Sequence, residues 1–176
     1  MLVDTLSACC LLVSNDINSS LVLNVRGWVR RRYGREVMSG KVRVLIADDH
    51  EQCRWVMAHL LCAECDVVAA VANGRELVDA AVSLMPDVIV SDISMPLLTG
   101  IQAMEDLSER GYEIPFVLVS TANSGAADYI KRGAMAFVNK VDMGHDLVVA
   151  VLSAALGQVC VSRSAEERRS QALWCA

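Results

Sequence analysis

The stretch Asp87-Val88-Ile89-Val90-Ser91-Asp92-Ile93-Ser94-Met95-Pro96 constrains this chain more than any other. A short β-branched run introduced by Pro86 and closed by Pro96 reads as a strand buried on both faces, as in parallel sheets. Asp92 is then delivered to the strand's carboxyl end, where open α/β sheets place their ligands. A carboxylate held there needs a cation or hydrogen-bond donors, because an unpaired buried charge is costly.

From Lys41 onward, strand and helix patterns alternate at short spacing. Strands are predicted at Val42–Ala47, Val67–Ala72, 87–92, Ile114–Ser120 and Ala136–Asn139. Helices are predicted at Gln52–Ala63, Arg75–Leu84, Gly100–Arg110, Ala126–Arg132 and about Gly144–Leu156, with Gly111 and Gly133 as terminators. Five strands alternating with five helices make an α/β fold, a doubly wound five-stranded parallel sheet. The expected organisation is an N-terminal extension over 1–40, one domain over 41–157 and a tail or linker over 158–176.

Composition narrows the function classes. The chain is 54% hydrophobic, but no run reaches the roughly 18 apolar residues of a membrane span. An Asp and no basic residue before Leu6 make a poor secretory signal, so the expected location is cytoplasmic. Seven Cys, an odd number without a regular framework, fit reduced thiols; Cys62-Ala63-Glu64-Cys65 has no second pair or nearby His and reads as helix-end packing. Residues 1–41 carry six basic and three acidic side chains, a net +3, which leaves −8 of the total −5 for the rest. An acidic main domain is a poor nucleic-acid binder by electrostatics alone. Within 1–40, the basic and aromatic stretch Arg26 to Arg35 could grip phosphates or an anionic membrane, but the simpler reading is a poorly ordered leader, with Met38 a candidate start of translation. Intact mass of the natively expressed protein settles that start.

The predicted strand ends collect a specific set of groups. Asp48 and Asp49 end the first strand, Asp92 the third, Ser120 the fourth and Lys140 the fifth. In a parallel sheet all fall on one edge. Converging carboxylates raise one another's pKa unless a hard divalent cation such as Mg²⁺ binds them through oxygen. A cation beside a nucleophilic carboxylate suits phosphoryl transfer. Taken alone, Asp48-Asp49 reads as a turn or helix cap; the joint pattern reverses that. His50, His59 and His145 read as solvated or packing residues.

With these residues in place the chain resembles the receiver domains of bacterial two-component response regulators. The matching motifs are Val44-Leu45-Ile46-Ala47-Asp48-Asp49-His50, Asp92-Ile93-Ser94-Met95-Pro96 with Gly100, Ser120, Gly133-Ala134 and Lys140. The resemblance covers Lys41 to about Gly157 and is specific as a set. It implies a flavodoxin-like fold and phosphorylation of Asp92 by a histidine kinase, a phosphotransfer protein or a small phosphodonor. It also implies Mg²⁺ held by Asp48, Asp49, Asp92 and the backbone carbonyl of Ser94, a switch hydroxyl on Ser120 and a phosphate-binding ammonium on Lys140. Phe137 falls at the family's aromatic switch position, where core packing is an equally good account. The output implied is an altered contact with an unidentified protein target, and the face of helix four, strand five and helix five is also a candidate homodimer surface.

Three departures accompany the match. Ser120 to Lys140 looks about two residues short, Val141 stands where many relatives have Pro, and Thr99 stands where Asp is common. Past Gly157 the chain resembles the linker that precedes a helix-turn-helix domain in many relatives, and the remaining residues are too few to build three packed helices. Two competing classes are a Mg²⁺-dependent phosphatase or phosphotransferase with an Asp nucleophile, and an interaction module independent of phosphorylation.

Overall fold

The computed structural model describes residues 41–122 and 125–162. The predicted leader, the last part of the tail, and Asn123 and Ser124 of the turn after Ser120 lie outside the described residues. In chain order the elements are β1 (Val42–Ala47), α1 (Glu51–Leu61), β2 (Cys65–Val71), α2 (Gly74–Leu84), β3 (Val88–Asp92) and α3 (Gly100–Glu109). They continue as β4 (Phe116–Ser120), α4 (Ala126–Lys131), β5 (Ala136–Asn139), α5 (Met143–Ala155) and β6 (Cys160–Val161). All pairings are parallel, in the order β2-β1-β3-β4-β5-β6.

The two-residue period of a strand divides the core into two layers. Val44, Ile46, Val88, Val90, Val117 and Val119 face Met57 and Leu61 of α1 and Leu147 and Val151 of α5. Leu45, Ile89, Phe116, Leu118 and Phe137 face Leu77 and Val78 of α2 and Met104 and Leu107 of α3. Burial on both faces explains why β3 and β4 read as continuous apolar runs.

Local signals set the helix starts. Asn73 accepts from the backbone N–H groups of Arg75 and Glu76 and caps α2. Thr99 forms a capping box on α3: its hydroxyl accepts from Gln102 N, and Gln102 Oε1 accepts from Thr99 N. The residue that departs from the family's common Asp is thus the N-cap of α3.

The predicted strands and helices are all present, with boundaries shifted by a few residues, and the sheet gains a sixth strand. Gly157, at φ 76°, reverses the chain after α5. The tail then returns along β5, with Cys160 N donating to Met135 O and Ser162 N to Phe137 O. Two residues are too short for a periodic signal, and residues 158–162 read as tail for that reason. No described helix is long and apolar enough to cross a membrane.

Candidate functional site

The sheet runs outward in opposite directions from β1, with β2 on one side and β3 on the other. The crevice at the carboxyl ends of β1 and β3 is therefore the switch point of the fold. Asp48 and Asp92 stand there, both buried, with Asp48 at 0% and Asp92 at 6% exposure.

Lys140, the residue after β5, reaches across to both carboxylates. Its Nζ lies 2.7 Å from Asp48 Oδ2 and 2.9 Å from Asp92 Oδ1. Each carboxylate is also held by its own loop: Asp48 Oδ1 accepts from His50 N at 2.9 Å, and Asp92 Oδ2 accepts from Ser94 N at 3.0 Å. Asp49 points toward solvent and meets the exposed ring of His50, Nδ1 to Oδ1 2.7 Å. One ligand atom from each of Asp48, Asp49 and His50 lies within 4.8 Å of the others. His50, read from sequence as solvated or packing, is thus exposed and tied to the acid pair; its place directly after Asp48-Asp49 is the one signal that pointed to it.

Burial pushes the Asp92 carboxyl above its usual range, with the Asp48 charge adding to it, while the Lys140 bond and charge oppose the shift. Burial works against the Lys140 ammonium, but its hydrogen bonds to Asp48 and Asp92 outweigh it and its pKa is raised. Cys53, one turn into α1, feels the same pocket: burial and then Asp48 push its thiol up.

Ser120 ends β4 at 8% exposure. Its hydroxyl accepts from Ala122 N at 3.1 Å, and its carbonyl accepts from Lys140 N at 2.8 Å. It therefore borders the pocket while its hydroxyl is engaged in the turn that follows. Phe137 stands apart from the acidic groups, fully buried in the second core layer, with its ring stacked on Tyr129 at 5.7 Å between centroids. Sequence reading missed Tyr129, because an aromatic in a short polar helix carries no periodic signal.

A glycine closes the pocket floor. A Cβ on Gly100 would lie 2.2 Å from Asp92 O and 2.7 Å from Ser91 Oγ, so only Gly lets α3 start this close to β3. Gly100 N donates to Ile93 O, and Ser91 Oγ donates to Asp92 O.

This fold and pocket define a class: flavodoxin-like α/β domains with a carboxylate cluster and a bridging lysine at the switch point of a parallel sheet. Comparison with known proteins gives the family. The model of the response regulator receiver domain matches residues 44–152, and the chain belongs to that family, the receiver domains of two-component systems. It is 30% identical to the nitrate/nitrite response regulator protein NarL of Escherichia coli over 125 residues, 69% of this chain and 58% of that protein. It is 31% identical to a protein-glutamate methylesterase/protein-glutamine glutaminase of Methanosarcina mazei over 112 residues, 60% of this chain and 31% of that protein. The chain thus spans less than two thirds of either relative. Among solved structures, the signal receiver domain of a response regulator NarL from Mycobacterium tuberculosis superposes with a TM-score of 0.64 at 26% identity, covering 67% of this chain and 98% of that one.

Proposed function

We propose that this chain is a phosphorylation-dependent signalling switch in which Asp92 accepts a phosphoryl group from a histidine kinase, a phosphotransfer protein or a small phosphodonor. The observation that carries this reading is the Lys140 ammonium, bridged between Asp48 and Asp92 at 2.7 and 2.9 Å. It marks the place where negative charge accumulates and holds a donor ready for more of it.

A carboxylate oxygen of Asp92 forms the new bond to phosphorus while the bond from phosphorus to the donor's leaving atom breaks. The product is an acyl phosphate, and the proton the leaving group needs comes from solvent. Lys140 then pairs with a phosphoryl oxygen, and the Ser120 hydroxyl, released from Ala122 N, donates to another. Asp48 and Asp49 bring carboxylate oxygens together at the pocket, which supports a hard-cation site; with Asp92 and the Ser94 carbonyl, as the family resemblance implies, they would hold Mg²⁺. A cation held by those residues would supply neutralising charge for the transferring group.

Four free thiols among the described residues, Cys53, Cys62, Cys65 and Cys160, are in keeping with a cytoplasmic setting. The output is a changed protein contact on the face of α4, β5 and α5, which also serves as the homodimer candidate. Incubation with Mg²⁺ and acetyl phosphate, followed by intact mass, tests the reading. One phosphoryl adduct is expected on the wild type and none on Asp92→Asn; a stable adduct on the variant, or none on the wild type, refutes it.

A further inference from the structure

Asn139 is the odd residue of β5. The three before it, Ala136, Phe137 and Val138, are buried and apolar, whereas Asn139 brings a polar amide into an equally buried place. Such an amide is costly unless it is hydrogen-bonded, so its bonds show what it contributes. Its Oδ1 accepts from Val141 N at 2.9 Å, and its carbonyl accepts from Asp142 N at 2.9 Å. Side chain and main chain of one residue thus wrap the same turn, Asn139 to Asp142, and Lys140 is the second residue of that turn.

Lys140 is thereby held through both of its neighbours. Its own N–H donates to Ser120 O at 2.8 Å, and Asn139 N, just before it, donates to the Ser162 hydroxyl at 3.1 Å. Val141, just after it, has an exposed side chain, so the position contributes chiefly its N–H. A proline in that place, as in many relatives, has no such N–H to give. From this turn the lysine side chain spans the end of β4 to set Nζ 2.7 Å from Asp48 Oδ2 and 2.9 Å from Asp92 Oδ1. A long side chain loses much rotamer freedom when held in one geometry, and a fixed backbone makes that geometry reproducible.

We infer that Asn139 is a positioning residue: by accepting from Val141 N it sets the Lys140 backbone so that the ammonium meets both carboxylates and then a phosphoryl group on Asp92. The inference rests on the reading of Asp92 as phosphoacceptor. Asn139 acts through the lysine, and the bond from Asn139 N to Ser162 ties the same turn to β6.

Reductive methylation of the full chain with formaldehyde and cyanoborohydride, read by peptide mass, measures how firmly each lysine amine is held. Lys140 is largely covered and Lys131 exposed, at 14% and 79% of the side chain, and Lys41 is the chain's third lysine. Asn139→Leu keeps the volume and removes the acceptor. In that variant Lys140 is expected to react several-fold faster than in wild type, with Lys41 and Lys131 unchanged. Asn139→Ser, whose hydroxyl accepts from the same N–H more weakly, restores most of the protection. With Mg²⁺ and acetyl phosphate, intact mass is expected to show the adduct forming several-fold more slowly in the Leu variant. Equal labelling of Lys140 in wild type and Leu variant, a rise shared by all three lysines in both variants, or faster labelling with an unchanged rate of adduct formation overturns the inference and leaves the role of Asp92 intact. Absence of the adduct from wild type overturns both.

Discussion

The ammonium of Lys140 lies 2.9 Å from Oδ1 of Asp92, although β3 and β5 are not neighbours in the sheet. β4 stands between them, so the lysine reaches over the end of β4 to close the pocket. Two buried like charges, Asp48 and Asp92, share that one cation, which opposes the upward push of burial on the Asp92 carboxyl.

Lys140→Met is therefore expected to push the Asp92 carboxyl further up. Burial raises that pKa, while the lysine lowers it by a hydrogen bond and by its charge; removing the lysine leaves burial and Asp48 opposed only by the Ser94 N–H bond. A carboxyl-carbon NMR titration of wild type and variant measures the midpoint. An equal or lower midpoint in the variant refutes the assignment of Lys140 as the compensating cation.

The same pair sets an alkaline limit. The Lys140 pKa is raised in the folded state above its ordinary 10.5, so the folded protein holds this proton more tightly than the unfolded chain does. The stabilisation is complete below pH 10.5 and is lost as pH rises through the folded value. The difference in urea unfolding between wild type and Lys140→Met is expected to shrink as pH rises past that point, and on the acid side to change where the further-raised Asp92 carboxyl of the variant titrates. A difference that stays constant from neutral pH through the alkaline range shows that Lys140 is not the group responsible.

Gly100→Ala and Gly144→Ala are expected to behave in opposite ways. At Gly100 the new methyl meets backbone, 2.2 Å from Asp92 O, and the overpacking costs about 1–3 kcal/mol and displaces the Asp92 carboxylate. At Gly144, in the first turn of α5, a Cβ meets nothing within 4 Å, and the exchange stabilises by about 0.4–1 kcal/mol. Urea midpoints order the three proteins.

Cys62 and Cys65 should separate cleanly under thiol labelling at pH 8. Cys62 caps the end of α1, exposed, with its Sγ donating to His59 O, whereas Cys65 is buried at the start of β2 and its pKa is pushed to about 12. One equivalent of fast label on Cys62 and none on Cys65 in the folded protein is the expected outcome. Rapid labelling of Cys65, or joint protection of both by Zn²⁺, would restore the metal or redox reading of this Cys-x-x-Cys.

Much of this architecture was legible because it is written in period and punctuation. β1 alternates Val44 and Ile46 on one face with Leu45 and Ala47 on the other, and Pro86 and Pro96 bracket β3. The meeting of Asp48, Asp92 and Lys140 followed from parallel strand order alone. Other features depend on what folds against what. β2 begins at Cys65 rather than Val67, because pairing with Val42 extends it past an acidic residue that local pattern would exclude. β6 exists through its hydrogen bonds to β5, and the Tyr129–Phe137 stack through a helix docking onto a strand. Nothing in a local window signals either one.

Ser162→Ala tests the sixth strand. The Ser162 hydroxyl accepts from Asn139 N at 3.1 Å in a buried position, and its loss is expected to cost about 1 kcal/mol and to loosen the last residues of β5. Faster amide exchange at Asn139 in the variant is the sign to look for; unchanged exchange would show that β6 contributes nothing there.

That short strand also fixes the route by which the polypeptide departs. α5 crosses back over the sheet, so a chain leaving at Gly157 would exit on the side remote from the carboxylates. Running parallel to β5, β6 carries the backbone round to the opposite rim and delivers Ser162 beside Asn139, the residue that precedes Lys140. Ser162, the last described residue, is thereby hydrogen-bonded to the residue one peptide bond before the lysine that pairs with Asp92.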